Sequence, residues 1–181
     1  MILKVDGRIK LELVSSKHVQ PIFDIANDNR EHLRQWLPWI DSMHGVSFIR
    51  DFISVSEQRR AMGTDYAFVI LCDEMVVGRI GIYKVDTYNH VGELGYWIGK
   101  EHEGNGIITS SCRRLLQYSF EVLLLNRIEI RCGVENVRSQ RVPERLGFTK
   151  EGRLRQVENI RGHFIDHYLY SLLLEEYRAS G

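Results

Sequence analysis

An α/β domain built on one mixed sheet with helices on both faces is the fold class this sequence predicts. Three observations carry it. Strand-type alternation recurs along the chain, helical periodicity interrupts it at intervals, and residues 91 to 134 read as strand, helix and strand in succession. Such a β-α-β unit closes as a right-handed crossover between parallel strands. The closely spaced strands elsewhere read as antiparallel hairpins, so the sheet is mixed, with six to seven strands.

In order, Arg8 to Val14 place Ile9, Leu11 and Leu13 on one face, a first strand. Ser15 and Ser16 offer caps to a helix whose Val19, Ile22, Phe23 and Ile25 recur at three and four. Residues 29 to 40 hold Trp36, Trp39 and Pro38 and read as irregular. Phe48, Ile49, Phe52, Ile53 and Val55 mark a second helix ending near Gly63, with Arg59 and Arg60 in its last turn. Strands follow at 66 to 72 and 76 to 85, joined by Asp73-Glu74, and a third at 90 to 98. Ile108, Cys112, Leu115, Leu116, Phe120 and Leu123 then mark a long helix, and Ile128, Ile130, Cys132 and Val134 a half-buried strand. A short helix over 137 to 146 and strands at 148 to 158 and 164 to 174 close the chain.

The 181 residues suit a single domain, 1–181, without repeats or linkers. Lys plus Arg number 24 against 24 Asp plus Glu, which excludes non-specific capture of nucleic acid or acidic lipid by bulk charge. No apolar run approaches the roughly 18 residues of a membrane span, and the N-terminus lacks a signal-peptide core. Cys72, Cys112 and Cys132 are scattered in apolar stretches, which suits buried thiols in a cytoplasmic protein. His163 and His167 mimic a helical metal pair but fall in a strand, about 13 Å apart at 3.3 Å per residue. His102-Glu103 has Gly106 where a zinc-protease motif needs His. No metal is expected.

The chemical signal lies where strand 90 to 98 meets the long helix, at Gly104-Asn105-Gly106-Ile107-Ile108-Thr109. Two glycines just before a helix let successive N–H groups converge on an anion, aided by the helix dipole. Thr109 replaces the third glycine of a dinucleotide fingerprint, and Gly106 lacks the following Lys-Ser/Thr of a nucleotide-triphosphate loop. The residues alone leave a phosphate cradle and an ordinary strand-to-helix turn both open.

Beyond these residues, the chain resembles the GNAT acyltransferase superfamily. Its signature Gln/Arg-x-x-Gly-x-Gly/Ala is met by Glu101-His-Glu-Gly104-Asn-Gly106, with an acid in the first position. A second signature, an Asn after the next strand and a short helix closing in Gly-Phe, is met from Asn136 to Gly147-Phe148. LRQWLPWID (33–41), GELGYWI (92–98) and Ser139 look like the ribosomal-protein N-acetyltransferase branch. The resemblance implies acetyl-coenzyme A as acyl donor, bound in a splay between strands 93 to 98 and 127 to 134. Trp97, Ile98, Gly104, Asn105, Gly106, Ile107, Ile108, Thr109 and Asn136 would line that site, with Lys100, Arg138 or Arg141 offsetting Glu101. Gly95 and Gly99 would fit a distorted strand.

Acetyl transfer to an amine needs a base, an oxyanion site and a proton for the departing thiolate. N–H groups near Ile98 would meet the oxyanion. By resemblance, Glu158 is the base and Ser139 contacts the sulfur, since Pro143 stands where many members carry a Tyr acid. Glu93, on the strand facing the cofactor, is the second candidate base. As bare residues, Glu158 and Glu93 also read as surface acids and Ser139 as a helix cap. Pro143 cannot bond back to the Ser139 carbonyl, which frees that oxygen. Trp36 and Trp39 either wall the acceptor site or fill the core.

The acceptor expected is the N-terminal α-amine of a protein, with ribosomal proteins the class the resemblance implies. A small amine such as a polyamine or aminoglycoside, or a non-catalytic coenzyme A-binding role, are the alternatives. An acid-lined acceptor cleft would favour a polycation. The apolar run from Tyr168 to Leu174 reads as an exposed last strand able to pair with a second copy, a homo-oligomer.

Overall fold

The computed structural model describes residues 1–179. Its strands are β1 (Ile2–Lys4), β2 (Ile9–Leu13), β3 (Tyr66–Cys72), β4 (Met75–Asp86), β5 (Val91–Ile98), β6 (Arg127–Gly133), β7 (Thr149–Ile160) and β8 (His163–Leu173). The helices are α1 (Val19–Asp28), α2 (Arg30–Leu33), α3 (Val46–Ala61), α4 (Ile107–Glu121), α5 (Val137–Arg145) and α6 (Leu174–Ala179). All eight strands join one sheet in the order β1-β2-β3-β4-β5-β6-β8-β7. Among the described residues no helix is long and apolar enough to cross a membrane.

Alternation in the central strands decides what each face covers. On one face Leu11, Phe68, Ile70, Ile80, Ile82, Leu94 and Ile130 pack with Cys112, Leu115 and Leu116 of α4. On the other, Ala67, Val69 and Leu71 meet Ile22 and Ala26 of α1 and Ile49 and Ile53 of α3. β3, apolar without a break, is covered on both sides, as its sequence requires. Each fully buried Leu or Ile contributes about 1.5–3 kcal/mol by leaving water.

Four expectations need correction. The short β1 adds an eighth strand, pairing Ile2 with Glu12, and residues 30–33 form a helical turn. More consequential, β8 is not an edge: it lies between β6 and β7, with Tyr170 and Leu172 buried. The apolar run of the last strand reflects burial, and β7, almost wholly exposed, is the edge at this end of the sheet. Gly95 does not sit in a bulge either. It pairs directly with Gly81, and the Tyr83 ring lies over both, where a Cβ on Gly81 would come within 2.6 Å of that ring.

The feature that positions the site is the parallel junction, the single one among the described residues. β5 and β6 pair only through Val91, Gly92 and Glu93 with Arg127, Ile128 and Glu129. Beyond Glu93, β5 bonds to β4 alone and β6 to β8 alone. A gap therefore opens between Leu94–Ile98 and 130–133.

Candidate active site

Two clefts meet at that gap. One, of about 780 Å³, is lined by Ile98, Gly104, Gly106, Ile107, Ile108 and Thr109 on one side and by Asn136 and Arg138, Arg141 and Arg145 of α5 on the other. The second, of about 680 Å³, is lined by Trp36, Trp39, Phe52, Arg79, Glu93, Glu158 and His167. Trp36, Leu37, Tyr96, Trp97, Asn136 and Ser139 belong to both walls.

The first cleft is built for an anion. Gly104 and Gly106 have φ of +78° and +75°, and a Cβ at either would meet nothing within 4 Å. Backbone conformation rather than space demands glycine there. Gly106 caps α4, whose first N–H groups lack intrahelical partners. Lys100, Arg138, Arg141 and Arg145 add positive charge to the wall. Glu101 lies outside this wall, its carboxylate 3.4 Å from the His102 imidazole. Two acids line the cleft, Glu135 and Glu103, the latter paired with Arg138 and 3.0 Å from His32 Nε2. Asn105 is not in the wall; its side chain donates to the His102 carbonyl.

The unpaired edge of β5 supplies donors. Successive N–H groups of a strand point to opposite sides, so the bond from Gly99 N–H to the Val77 carbonyl sends the Ile98 N–H toward the gap.

At the junction of the clefts, α5 is capped by Asn136, whose Oδ1 accepts from the Ser139 N–H at 3.1 Å. Ser139 is thus not the cap, and its hydroxyl is available. Its Oγ lies 3.2 Å from Tyr96 Oη and 3.3 Å from Cys132 Sγ. The carbonyl that Pro143 leaves free is taken by Tyr96 Oη, donating at 3.0 Å. Burial pushes the Tyr96 phenol well above its ordinary value and Cys132 up to about 11, so both hold their protons at neutral pH.

In the second cleft a bulge brings Glu158 into place. β7 carries extra residues between Leu154, opposite His167, and Glu158, opposite Ile165. Gln156 turns through φ of +52°, with its N–H bonded to Asp166. Glu158 Oε2 then lies 3.0 Å from His167 Nε2. Glu93 is differently placed, 2.9 Å from Lys84 Nζ and 3.6 Å from Arg131 Nε. Trp36 stands between the clefts, while Trp39 stacks on Phe48 at 6.0 Å and tilts against Trp97. Tyr96, Cys132 and Arg79 carry no chemical signal in the sequence, and His167 is raised there only as half of a rejected metal pair. The carbonyl freed by Pro143 calls for a donor, but nothing local in the sequence names Tyr96 as that donor.

Among the described residues, no three His, Cys, Asp or Glu side chains gather to hold a metal. An open sheet with one splayed parallel junction, a cationic glycine turn beneath it and a carboxylate across it define an acetyl-coenzyme A-dependent N-acetyltransferase. The chain belongs to the GNAT acetyltransferase family: residues 8–149 match the acetyltransferase (GNAT) domain. It is 35% identical over 177 residues to a putative ribosomal N-acetyltransferase, YdaF, of Bacillus subtilis, covering 97% of both chains. It is 28% identical to the ribosomal-protein-serine acetyltransferase of Escherichia coli, over 96% of this chain and 97% of that one. A microcin self-immunity acetyltransferase solved with acetyl-coenzyme A and AMP superposes with a TM-score of 0.91 at 26% identity, covering 94% of each chain.

Proposed function

We propose that this enzyme acetylates the N-terminal α-amine of a protein, with a ribosomal protein the favoured acceptor. The observation that carries the reading is the pair of clefts meeting at Ser139 and Tyr96, one cationic and glycine-lined, the other open and holding Glu158. Similarity to the ribosomal-protein-serine acetyltransferase across nearly the whole chain supports the same acceptor class.

In this reading the acyl donor lies in the first cleft, its pyrophosphate at Gly104 to Ile108 and its thioester in the gap. The amine enters from the second cleft and attacks the thioester carbon. Glu158, oriented by His167, takes the amine proton, directly or through water. An α-amine, with a pKa of about 7.7–8.0, asks less of that carboxylate than a lysine at about 10.4. The Ile98 N–H meets the oxyanion as the C–N bond forms and the C–S bond breaks. The departing thiolate meets the Ser139 hydroxyl, which Tyr96 positions. Glu93 is the weaker candidate, because protonating it would leave Lys84 and Arg131 facing a neutral group.

The acceptor cleft argues against a polyamine. It holds Arg59, Arg79, Lys84 and Arg131 against Asp65, Glu93 and Glu158, so it carries no acidic excess for a polycation. Acetyl-coenzyme A turnover against N-terminal peptides, lysine peptides, polyamines and aminoglycosides tests the acceptor, with peptide α-amines expected to lead. Glu158→Gln and Ser139→Ala are each expected to lower the rate by about 10²–10⁴. Rates within about threefold of wild type would remove both assignments.

A further inference from the structure

The charged groups of the acceptor cleft are paired with one exception. Arg59 is 3.2 Å from Asp65, Lys84 is 2.9 Å from Glu93, Arg131 reaches Glu93 and Glu129, and His167 meets Glu158. Arg79 has no carboxylate partner among the described residues, although it is only 8% exposed. Its guanidinium lies 3.5 Å above the centre of the Phe52 ring, and its Nε is buried without a hydrogen bond. A guanidinium removed from water without an acid is costly to the fold.

The surroundings hold Arg79 in place. It projects from β4 on the same face as its partner Trp97, and on the same face as Tyr83 and Glu93 further along. Tyr83 folds back across Gly81 and Gly95 toward it, and no other residue type at 81 would let that ring lie flat, since a Cβ there would approach the ring and hydroxyl to 2.6 Å. Burial pulls the guanidinium down from its ordinary value, and the Tyr83 hydroxyl partly offsets this by favouring the charged form. The result is a fixed cation, backed by an aromatic ring, in the wall of the acceptor cleft.

We propose that Arg79 receives a carboxylate carried by the acceptor. This rests on the N-terminal reading above, under which the carboxylate is an Asp or Glu side chain close behind the reacting residue. A carboxylate fits better than a phosphate because one unpaired cation balances one negative charge, and the planar guanidinium fork matches a planar carboxylate.

The test compares peptides bearing Asp at the second, third or fourth position with their Asn counterparts, using wild type, Arg79→Gln and Arg79→Lys. Coenzyme A affinity of each variant, measured by calorimetry, reports an intact fold. In wild type the best Asp peptide is expected to exceed its Asn partner by about tenfold or more in kcat/KM, mainly through KM. Arg79→Gln is expected to bring that ratio within about twofold, and Arg79→Lys to keep part of it. Equal turnover of Asp and Asn peptides by wild type would overturn the inference and leave the N-terminal reading standing. So would a preference that survives Arg79→Gln. Turnover confined to small amines would instead remove the N-terminal reading. The ratio of β-alanine to β-alaninamide, measured in the same three proteins, would then decide the role of Arg79.

Discussion

Replacing Tyr96 by Phe removes one oxygen and tests how the centre of the site is assembled. In a regular helix the Ser139 carbonyl would accept from the N–H of residue 143, but Pro143 has none. Tyr96 Oη fills the vacancy at 3.0 Å and also reaches Ser139 Oγ at 3.2 Å. A buried carbonyl left without a donor costs about 1–3 kcal/mol. Tyr96→Phe should therefore destabilise the protein by about 2 kcal/mol. For a domain of this size that lowers Tm by roughly 4–8 °C. Pro143→Ala restores an N–H one helical turn along, so the same carbonyl regains its helical partner. In that background Tyr96→Phe should cost at least about 1 kcal/mol less, a coupling typical of groups that share one partner. Urea unfolding of wild type, both single variants and the double variant measures this directly. Equal costs of Tyr96→Phe in the two backgrounds would refute the account of how Ser139 is held.

Acid stability gives a second prediction. Arg127 grips Glu151 with two bonds of 2.7 Å and Ser171 adds a third, holding the carboxyl down to about 2. A carboxyl depressed on folding contributes stability in full above its ordinary value near 4.3, and that contribution fades as the pH falls to about 2. Glu151→Gln should thus be less stable than wild type at pH 7, by an amount that shrinks between about pH 4.5 and 2. Unfolding curves whose separation does not change over that range would contradict this. The two opposed glycines should respond unequally to Ala. A Cβ on Gly81 would lie 2.6 Å from Tyr83 and 2.9 Å from the Tyr66 carbonyl, whereas one on Gly95 would approach Tyr83 no closer than 3.4 Å. Gly81→Ala should cost about 1–3 kcal/mol and Gly95→Ala under about 1 kcal/mol. Similar unfolding midpoints for the two would count against the ring lying where it does.

Much of this architecture was legible in residue order. The unbroken apolar run Tyr66–Cys72, helical spacing from Ile107 to Glu121 and the turn at Gly104 to Gly106 are local patterns, and local backbone preference and side-chain polarity decide them. The phosphate-side residues from Gly104 to Thr109 are contiguous for the same reason, apart from Asn105, which turns back on its own loop. Pro143 was legible as an unpaired carbonyl at Ser139, but not as a demand for Tyr96, which lies 43 residues away. The last strand misled because an apolar run reads alike whether a neighbouring strand or solvent adjoins its edge. Strand order, which places β7 outside β8, is not a local property.

Sequence by itself therefore determined most of the elements, the glycine turn and the family, because spacing and backbone chemistry act over a few residues. Only tertiary structure decided that β5 and β6 pair for three residues and then part. It alone brought Tyr96 to Ser139, His167 to Glu158 and an unpaired Arg79 into the acceptor wall. Those relations depend on register, bulges and burial between distant segments, and no single segment specifies them.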